Sequence, residues 1–499
     1  MLFSSYEFIF VFLPLVLLGY LLLGWRASQR SALVWLILCS LVYYGWSKPI
    51  HLSLLGFSIV FNFAIGTYLG KQTEPKRSRL LVAIGIIVNL GLLGYFKYSL
   101  FAVETASALL HTNWTVGRLA LPIGISFFTF QQIAYLVDRY RHQIEESDFV
   151  DYCFFVMFFP KLIAGPLVRY NEISGQLHDR FSREKKIEDI SVGVTITVFG
   201  LFKKVIIADT IAKYVSQVFA VAGNGVSPTF AQAWIAAMCY TFQLYFDFSG
   251  YTDMAIGISR IFGITLPLNF HSPYKAVNIV DFWRRWHVTL ARFLRDYLYI
   301  PLGGNRKGLS RQYVNLMATM LVCGLWHGAG WTFVFWGGLH GAYLAMNHGW
   351  LALRKKHGFD TETPSWYGKA LGRVVTFAAV VFGWVFFRAQ SFSEARIMLG
   401  SMFGLNGLNL DAPGMGYALL WAVCLLIIVW FFPNTQEVMA RFRPLLEYGS
   451  EGKSKLHLGE APSWLRWRPI LLWAVATAVL AVFGVLGMSQ VTEFIYFAF

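Results

Sequence analysis

Long apolar runs recur along the whole chain, and they constrain its fold more than any other feature of the sequence. A helix needs roughly 20 apolar residues to cross a bilayer, at about 1.5 Å of rise per residue. Runs of this order recur from one end of the 499 residues to the other, and only short polar connectors separate them. The sequence therefore predicts an all-α polytopic membrane protein, with one membrane-embedded domain over residues 1–499 and no inserted aqueous domain.

The composition agrees with this prediction and excludes a soluble enzyme. Hydrophobic residues make up 56% of the chain and charged residues 14%, whereas a soluble domain is about 25% charged. The net charge of +15 does not indicate nucleic-acid binding, because the basic residues lie in short connectors and do not alternate with stacking aromatics. The five cysteines lie in apolar text without CxxC or Cys/His spacing, so we expect neither disulfides nor a metal site.

The apolar pattern predicts roughly ten to twelve transmembrane helices. The first five predicted spans cover residues 8–24, 32–46, 52–70, 80–96 and 119–137. The connectors after the first and third spans are basic, and those after the second and fourth are nearly uncharged. By the positive-inside rule the N-terminus lies outside, which is the periplasmic face of a bacterial inner membrane. Later spans are predicted at residues 192–207, 230–245, 313–333, 334–350, 374–387, 417–432 and 470–488.

The segment of residues 151–169 interrupts the alternation. Two prolines, a lysine and a glycine break its apolar text: Pro160, Lys161, Gly165 and Pro166. If this segment crossed the membrane, the basic stretch that ends at Lys186 would lie outside, against the positive-inside rule. A re-entrant segment resolves the conflict, because non-helical backbone at membrane depth is tolerated where protein or a water-filled cavity surrounds it. Amphipathic helices are predicted at residues 281–299 and 393–403, along the interface or lining a vestibule.

His327 is the ionisable residue that most strongly indicates a function. It lies in Leu325-Trp326-His327-Gly328, inside a predicted span, where an ionisable group is costly unless it is neutral, paired or facing water. A neutral imidazole can accept a hydroxyl proton near neutral pH. The pattern favours attack of an acceptor hydroxyl on an activated acyl group, with His327 as the general base. The alternative is a hydrogen bond to a neighbouring helix, which is the preferred interpretation for His340.

A basic aromatic block precedes this span. On a continuous helix over residues 281–299, Trp283 and His287 lie four residues apart on one face, with Arg284 and Arg285 close by. Such a belt can bind an anionic donor at the mouth of a cavity. It is equally typical of an interfacial helix whose arginines meet lipid phosphates and whose tryptophans anchor it.

Two polar segments have alternative explanations. The turn Gly303-Gly304-Asn305-Arg306-Lys307-Gly308 offers backbone N–H groups and two cations to a phosphate, but it is also typical of a basic cytoplasmic loop. The patch of residues 243–253 carries two carboxylates six positions apart, which do not share a helical face well. We therefore predict a hydrogen-bonded network there, and no metal site.

The Phe282-Trp283-Arg284-Arg285-Trp286-His287 block, the turn of residues 303–308 and Leu325-Trp326-His327-Gly328 together resemble the membrane-bound O-acyltransferase (MBOAT) superfamily, and more closely its bacterial alginate O-acetylation branch. The resemblance covers about residues 1–390, and residues 391–499 are less informative. It implies an MBOAT-like fold in which re-entrant and interfacial helices surround a central tunnel. It also implies that His327 is the catalytic base and that His287 supports it. Donor-binding residues would be Trp283, Arg284, Arg285, Asn305, Arg306 and Lys307.

By this resemblance, the protein takes an acetyl group from a cytoplasmic donor, expected to be acetyl-CoA, and passes it across the inner membrane. The expected recipient is a periplasmic SGNH-type O-acetyltransferase that modifies an exopolysaccharide such as alginate, alongside other polysaccharide secretion proteins. No permanently bound cofactor is expected, and the surrounding contacts are with membrane lipids. Three alternatives stay open: D-alanyl or other acyl transfer to a cell-wall polymer, transport of a polysaccharide precursor, and a non-catalytic scaffold.

Overall fold

A computed structural model describes residues 1–46, 48–117, 119–177, 183–358, 365–446, 459–490 and 495. These residues form helices joined by turns and irregular segments, and no strand occurs among them. The predicted all-α fold class is therefore confirmed. Part of the predicted basic connector before Lys186, residues 178–182, lies outside the described residues.

The first part of the chain folds into six helices, of which the first four follow the predicted spans closely and the fifth was not predicted. A π-helical turn (Glu7–Phe12) leads into the first helix, and another (Gly94–Tyr98) joins the fourth to the fifth. The sixth helix begins several residues later than predicted, and the non-helical stretch before it lines a cavity described below. The helices are α1 (Leu13–Arg26), α2 (Gln29–Gly45), α3 (His51–Lys71), α4 (Pro75–Leu93), α5 (Ser99–Leu110) and α6 (Ile125–Tyr140).

The remaining helices alternate between long apolar ones and short ones. They are α7 (Phe149–Met157), α8 (Phe159–Leu162), α9 (Tyr170–Ser174), α10 (Arg183–Phe202), α11 (Asp209–Gly223), α12 (Phe230–Ile261), α13 (Ile279–Arg285), α14 (Val288–Leu294), α15 (Leu309–His327), α16 (Trp331–Lys356), α17 (Trp366–Arg388), α18 (Phe392–Met402), α19 (Gly416–Phe431), α20 (Thr435–Val438) and α21 (Leu471–Gly487). The predicted helices at residues 393–403, 417–432 and 470–488 correspond to α18, α19 and α21.

Several of these helices can cross a membrane, by length and composition. Among the described residues, five helical stretches are both long and apolar enough: Glu7–Arg26, His51–Lys71, Pro75–Leu110, Ile187–Gly223 and Trp366–Arg388. The shorter helices α19 and α21 are also apolar. The predicted total of roughly ten to twelve spans also includes α2, α6, α12, α15 and α16, where polar side chains interrupt the apolar sequence.

The segment after α6 is re-entrant, as predicted. It enters through α7, breaks at Phe158 and Pro160, and returns as an irregular stretch that leads into α9. Side chains from Tyr152 to Val168 are buried. Asn171, just beyond it, donates from Nδ2 to the carbonyl of Gln143 at 2.7 Å, beside the point where the segment began. Protein therefore surrounds this broken backbone on both sides, which is the condition under which it is tolerated at membrane depth.

The polar patch of residues 243–253 lies within α12, which is longer than the predicted span. Its carboxylates bind two lysines of the helix alongside: Lys204 Nζ lies 2.7 Å from Asp247 Oδ1, and Lys203 Nζ lies 2.6 Å from Asp253 Oδ2. The two carboxylates of the predicted network are therefore paired, whereas Gln243 Oε1, Ser249 Oγ and Thr252 Oγ1 are buried without a hydrogen-bond partner among the described residues. A charged pair of this kind is tolerated in the interior because each partner compensates the other.

Two predicted helices are broken where continuity was expected, and both predictions were wrong. The helix over residues 281–299 is interrupted because Trp286 is extended and His287 has φ +44°, in the left-handed region. The span over residues 313–333 ends at His327, and extended glycines at 328 and 330 lead into α16. Both histidines therefore lie at helix ends, where the chain changes direction.

Candidate active site

His327 is the last residue of α15, next to the crossing of α15 and α16. The two helices pack antiparallel and approach most closely at Gly324 and Gly337. A Cβ added to Gly324 would lie 2.2 Å from the carbonyl oxygen of Phe333, and one added to Gly337 would lie 2.2 Å from that of Met320. Only glycine allows backbones to come this close. The crossing fixes the last turn of α15, and with it the position of His327.

Aromatic rings surround the imidazole of His327. The ring centroids of Trp326, Trp336 and Phe387 lie 4.9, 5.2 and 5.3 Å from it. The ring of His287 lies 6.4 Å away. His327 is 2% exposed and His287 is fully buried. In surroundings this apolar, polar groups that face the imidazole interact more strongly than they would in water.

The structure brings His287 to His327 by a route that differs from the predicted one. Because the helix ends at Arg285, Trp283 and His287 do not share a helical face. His287 instead begins α14, and its Nδ1 lies 3.0 Å from Oδ1 of Asn269. Asn269 also accepts from Oγ1 of Thr289 at 2.9 Å. These contacts fix the imidazole of His287 against the wall that faces His327.

Trp283 lies on the far side of the aromatic rings that surround His327. Its Nε1 donates to Nδ1 of His340 at 3.3 Å. The ring of Trp336 lies 4.7 Å from that of His340 and 5.2 Å from that of His327, so it separates the two histidines. His340 thus makes the hydrogen bond to a neighbouring helix that we predicted for it. Trp283 therefore packs behind these aromatic rings, on the side away from His327.

The predicted donor-binding arginines of the block point away from the two histidines. Arg284 is exposed. Arg285 forms an ion pair with Asp281, with Nε and Oδ1 2.8 Å apart, and its Nη1 donates to the carbonyl of His271 at 3.4 Å. A role for them in donor binding stays a prediction, restricted to parts of a donor far from His327.

The turn of residues 303–308 lies at the opposite end of α15 from His327. Asn305, Arg306 and Lys307 are exposed, and Gly303 and Gly304 have positive φ angles of 115° and 53°. The 19 residues of α15 rise about 27 Å. Only a donor with a long flexible arm can bind this turn and also reach His327, so phosphate binding here stays a prediction.

A cavity of about 70 Å³ opens beside His327, and we call it the histidine cavity. Its wall consists of Lys97, residues 121–127, Ile163, Ala164, Trp326 and His327. A single water needs roughly 10–15 Å³ by the same measure. The cavity therefore has room for several waters or for a small acyl group beside a hydroxyl.

A second, smaller cavity of about 10 Å³ lies further along α6, and we call it the arginine cavity. It is lined by Phe130, Gln131, Ala134, Leu167, Val168, Arg169, Thr289, Arg292, Phe293 and Tyr297. Its arginines are paired: Arg292 Nη1 lies 2.5 Å from Glu172 Oε1, and Arg169 pairs with Asp296. Through Thr289 and Asn269 it adjoins His287.

The ring of Phe130 separates the two cavities. It stacks on Trp326 at a centroid distance of 5.4 Å and on Phe293 at 4.2 Å. Trp326 lines the histidine cavity, and Phe130 and Phe293 line the arginine cavity. The two cavities therefore follow one another along α6 with one layer of stacked rings between them.

Known proteins match this chain over its whole length. Residues 108–389 match the membrane-bound O-acyltransferase (MBOAT) family. The chain belongs to this family. A peptidoglycan O-acetyltransferase of Helicobacter pylori is 43% identical over 439 residues, which are 82% of this chain and 81% of that protein. A probable alginate O-acetylase AlgI of Pseudomonas putida is 36% identical over 517 aligned positions that cover all of both chains. A teichoic acid D-alanyltransferase of Bacillus subtilis is 25% identical over 405 residues, which are 78% of this chain and 98% of that protein.

This MBOAT chain is an acyltransferase of the O-acetylating branch, as its motifs predicted. The matched region contains both histidines of the site and the turn of residues 303–308, and it begins after Lys97.

Two residues of this MBOAT site were missed by the sequence analysis. Asn269, which holds His287, gave no signal, because a single amide in an irregular stretch resembles any loop residue. Lys97 did give one: a lysine within apolar text is a candidate functional residue. The predicted span ends at Phe96, one residue before Lys97, whereas the helix continues through it to Leu110.

Proposed function

We propose that this MBOAT acyltransferase moves an acetyl group from cytoplasmic acetyl-CoA through the inner membrane, for O-acetylation of a glycan outside it. His327 is the general base of the transfer, and His287 supports it. The observation that carries this proposal is the position of His327 on the wall of a cavity, with a second cavity behind the partition at Phe130. We infer that the acceptor approaches this imidazole from the histidine cavity, and that the acyl group of the donor reaches it from the side of the arginine cavity, past the ring of Phe130.

The transfer balances with the residues of this site. The acceptor hydroxyl, in the histidine cavity, gives its proton to the neutral imidazole of His327 as its oxygen bonds to the acetyl carbonyl carbon. The carbon–sulfur bond of the thioester then breaks, and the leaving thiolate takes the proton from the imidazolium. The products are the acetyl ester and the free thiol. A positioned base of this kind contributes on the order of 10²–10⁴-fold to the rate.

The charge distribution supports an orientation for this route. The end of the molecule that holds the arginine cavity carries Arg141, Arg169, Arg292 and Arg295. By the positive-inside rule this end is cytoplasmic. The histidine cavity then lies toward the periplasm, and the N-terminus is periplasmic. The donor enters beside the arginine cavity and the acceptor from the other side.

We propose a periplasmic SGNH-type O-acetyltransferase as the immediate acceptor, and an exopolysaccharide such as alginate as its substrate. The relatives that support glycan O-acetylation are named for alginate at 36% identity and for peptidoglycan at 43%. The relative named for D-alanyl transfer is 25% identical. Acetyl transfer therefore has stronger support than D-alanyl transfer. The identity of the acceptor that becomes labelled tests which glycan is acetylated.

The role of His327 is tested by substitution to alanine. Inverted membrane vesicles of a host that produces the glycan are supplied with radiolabelled acetyl-CoA on their outward, cytoplasmic face. We expect His327→Ala to lower the label in base-labile ester inside the vesicles by on the order of 10²–10⁴-fold. His348→Ala, on α16 away from the cavity, is the matched control and should keep wild-type labelling. Wild-type labelling by an equally abundant His327→Ala protein would refute the proposal.

A further inference from the structure

Lys97 lies where a cation is least expected. It belongs to the π-helical turn Gly94–Tyr98 inside the apolar stretch Pro75–Leu110. Its side chain lines the histidine cavity beside Trp326 and His327. A charged group at such a position requires either a partner or a function.

The partners of Lys97 are the last carbonyl groups of α15. Its Nζ donates to the carbonyl of Trp326 at 2.6 Å and lies 3.5 Å from that of His327. The neighbouring Tyr98 donates from its hydroxyl to the carbonyl of Leu325 at 2.9 Å. The last carbonyls of a helix have no partners within the helix. Two adjacent residues therefore bind three successive carbonyls and hold the turn that carries His327.

Among the residues that the structure describes, no carboxylate balances a charge on Lys97. Within the described residues, no aspartate or glutamate oxygen lies within 4 Å of its Nζ, in contrast to Lys203 and Lys204, which are both paired. The negative end of the α15 dipole and the ring of Trp326, with Nζ 5.9 Å from the centroid, compensate it only partly. The ammonium form of Lys97 is thus only partly compensated at the wall of the cavity.

We propose that Lys97 is a positioning residue for the transfer at His327. Its side chain fixes the end of α15, and in its ammonium form it places a partly compensated charge at the wall of the cavity in which the acceptor hydroxyl loses its proton. Fixed charge at the point where an oxyanion develops is among the largest contributions to catalysis. This inference rests on the proposed function.

Three substitutions separate the charge of Lys97 from its hydrogen bonds. Lys97→Met removes both, Lys97→Gln keeps a donor without the charge, and Lys97→Arg keeps both. Tyr98→Phe is the matched control, because it removes one bond to the same helix end and no charge. In the vesicle assay we expect Met and Gln to lower kcat by about 10²-fold, with KM for acetyl-CoA unchanged. Arg should restore most of the rate, and Tyr98→Phe should lose much less than Gln.

The split between kcat and KM and the rescue by Lys97→Arg distinguish this role from a structural one. Thermal unfolding in detergent shows whether each variant is folded. If Lys97→Met is not folded, Lys97→Gln, which keeps a donor to the carbonyls, still tests the charge.

The outcomes are separable from those of the proposed function. His327→Ala is measured in the same vesicles. If His327→Ala is active, the proposed function fails. If His327→Ala is inactive while folded Lys97→Gln has wild-type kcat, only the inference on Lys97 is overturned. Equal losses in Lys97→Gln and Tyr98→Phe would also overturn it, because Lys97 would then be no more than a helix cap.

Discussion

His287 combines an unusual backbone conformation with a buried side chain. Its φ of +44° lies in a region that bulky residues adopt at a cost, and asparagine more readily. The strained residue directs its ring toward His327 and hydrogen-bonds Asn269. Backbone strain held in place by its surroundings is common at active sites. Different substitutions of His287 can therefore test its backbone conformation and its side-chain hydrogen bond separately.

We expect His287→Asn to be folded and to retain activity within about tenfold of wild type. Asparagine tolerates the left-handed conformation, and its amide can donate to Oδ1 of Asn269 as the imidazole does. His287→Phe keeps a ring but no polar atom, and we expect a larger loss of kcat, of about 10²-fold. The measurement is acetyl transfer per folded protein in vesicles. Equal activities of the two variants would show that hydrogen bonding at His287 does not matter.

The two histidines of the site could be predicted from the sequence, but the residues that support them could not. His327 and His287 could be recognised because histidine in apolar text, within distinctive motifs, is rare. The supporting residues could not be found in this way. Asn269 lies 18 positions from His287, and Lys97 lies more than 220 positions from the carbonyls that it binds. Such pairings follow from tertiary packing, which a single sequence does not reveal.

At the scale of elements, the crossing of α15 and α16 determines where His327 lies. The two glycines at the crossing leave no space for a side chain, because the nearest atoms are backbone carbonyl oxygens that cannot rotate away. Any Cβ must therefore push the helices apart. His327 is one turn beyond Gly324, so it would move with the end of α15.

We expect Gly324→Ala to lower both stability and activity. Overpacking of a close contact costs about 1–3 kcal/mol, and the displaced histidine should lower kcat by about 10²-fold. Gly349→Ala is the control on α16, where a Cβ would meet nothing within 4 Å. It should be neutral or stabilising by up to about 1 kcal/mol, from helix propensity. Thermal unfolding and vesicle assays measure both effects, and a Gly324→Ala protein as stable and active as wild type would contradict the role of the crossing.

Helix positions were largely predictable from the sequence, but breaks within helices were not. Apolar periodicity located α1 to α4 to within a few residues. It also predicted the re-entrant segment, because prolines and a charge conflict mark it. The break at Trp286 and His287 has no glycine or proline to signal it. It is imposed by tertiary contacts, including the bond of Val288 N–H to the carbonyl of Asn269 at 2.9 Å.

At the scale of the whole molecule, the C-terminal part of the chain packs onto the centre. Thr435 and Gln436 bind the carboxylate of Asp253 at 2.8 and 2.9 Å, and the backbone N–H of Ile495 donates to Asp247 at 3.0 Å. The resemblance gave little information on residues 391–499. The contacts of Thr435, Gln436 and Ile495 show that this part of the chain packs against α12. That helix in turn contacts the site, because the ring of its Phe248 lies 4.9 Å from that of His287.

The arrangement of the two cavities along α6 predicts that the enzyme selects its donor by the size of the acyl group. The Phe130 ring narrows the path between them, so we expect only a small acyl group to reach His327 from the side of the arginine cavity. A site of this kind discriminates one extra methylene by about 10–200-fold. We expect Phe130→Ala, which joins the cavities, to reduce the preference for acetyl-CoA over propionyl-CoA to a few-fold, and to raise thioester hydrolysis because water gains access.

The control for this prediction is Phe128→Ala on the same helix. Phe128 is 2% exposed and lines neither cavity. Its removal costs a similar amount of stability, about 3–5 kcal/mol, without opening a path. Comparison of kcat/KM for the two thioesters in both variants separates the partition from general loosening of the fold. If both variants lose selectivity equally, Phe130 is not the partition. If only Phe130→Ala loses selectivity, the Phe130 ring limits the size of the acyl group at the point where the donor and acceptor routes meet.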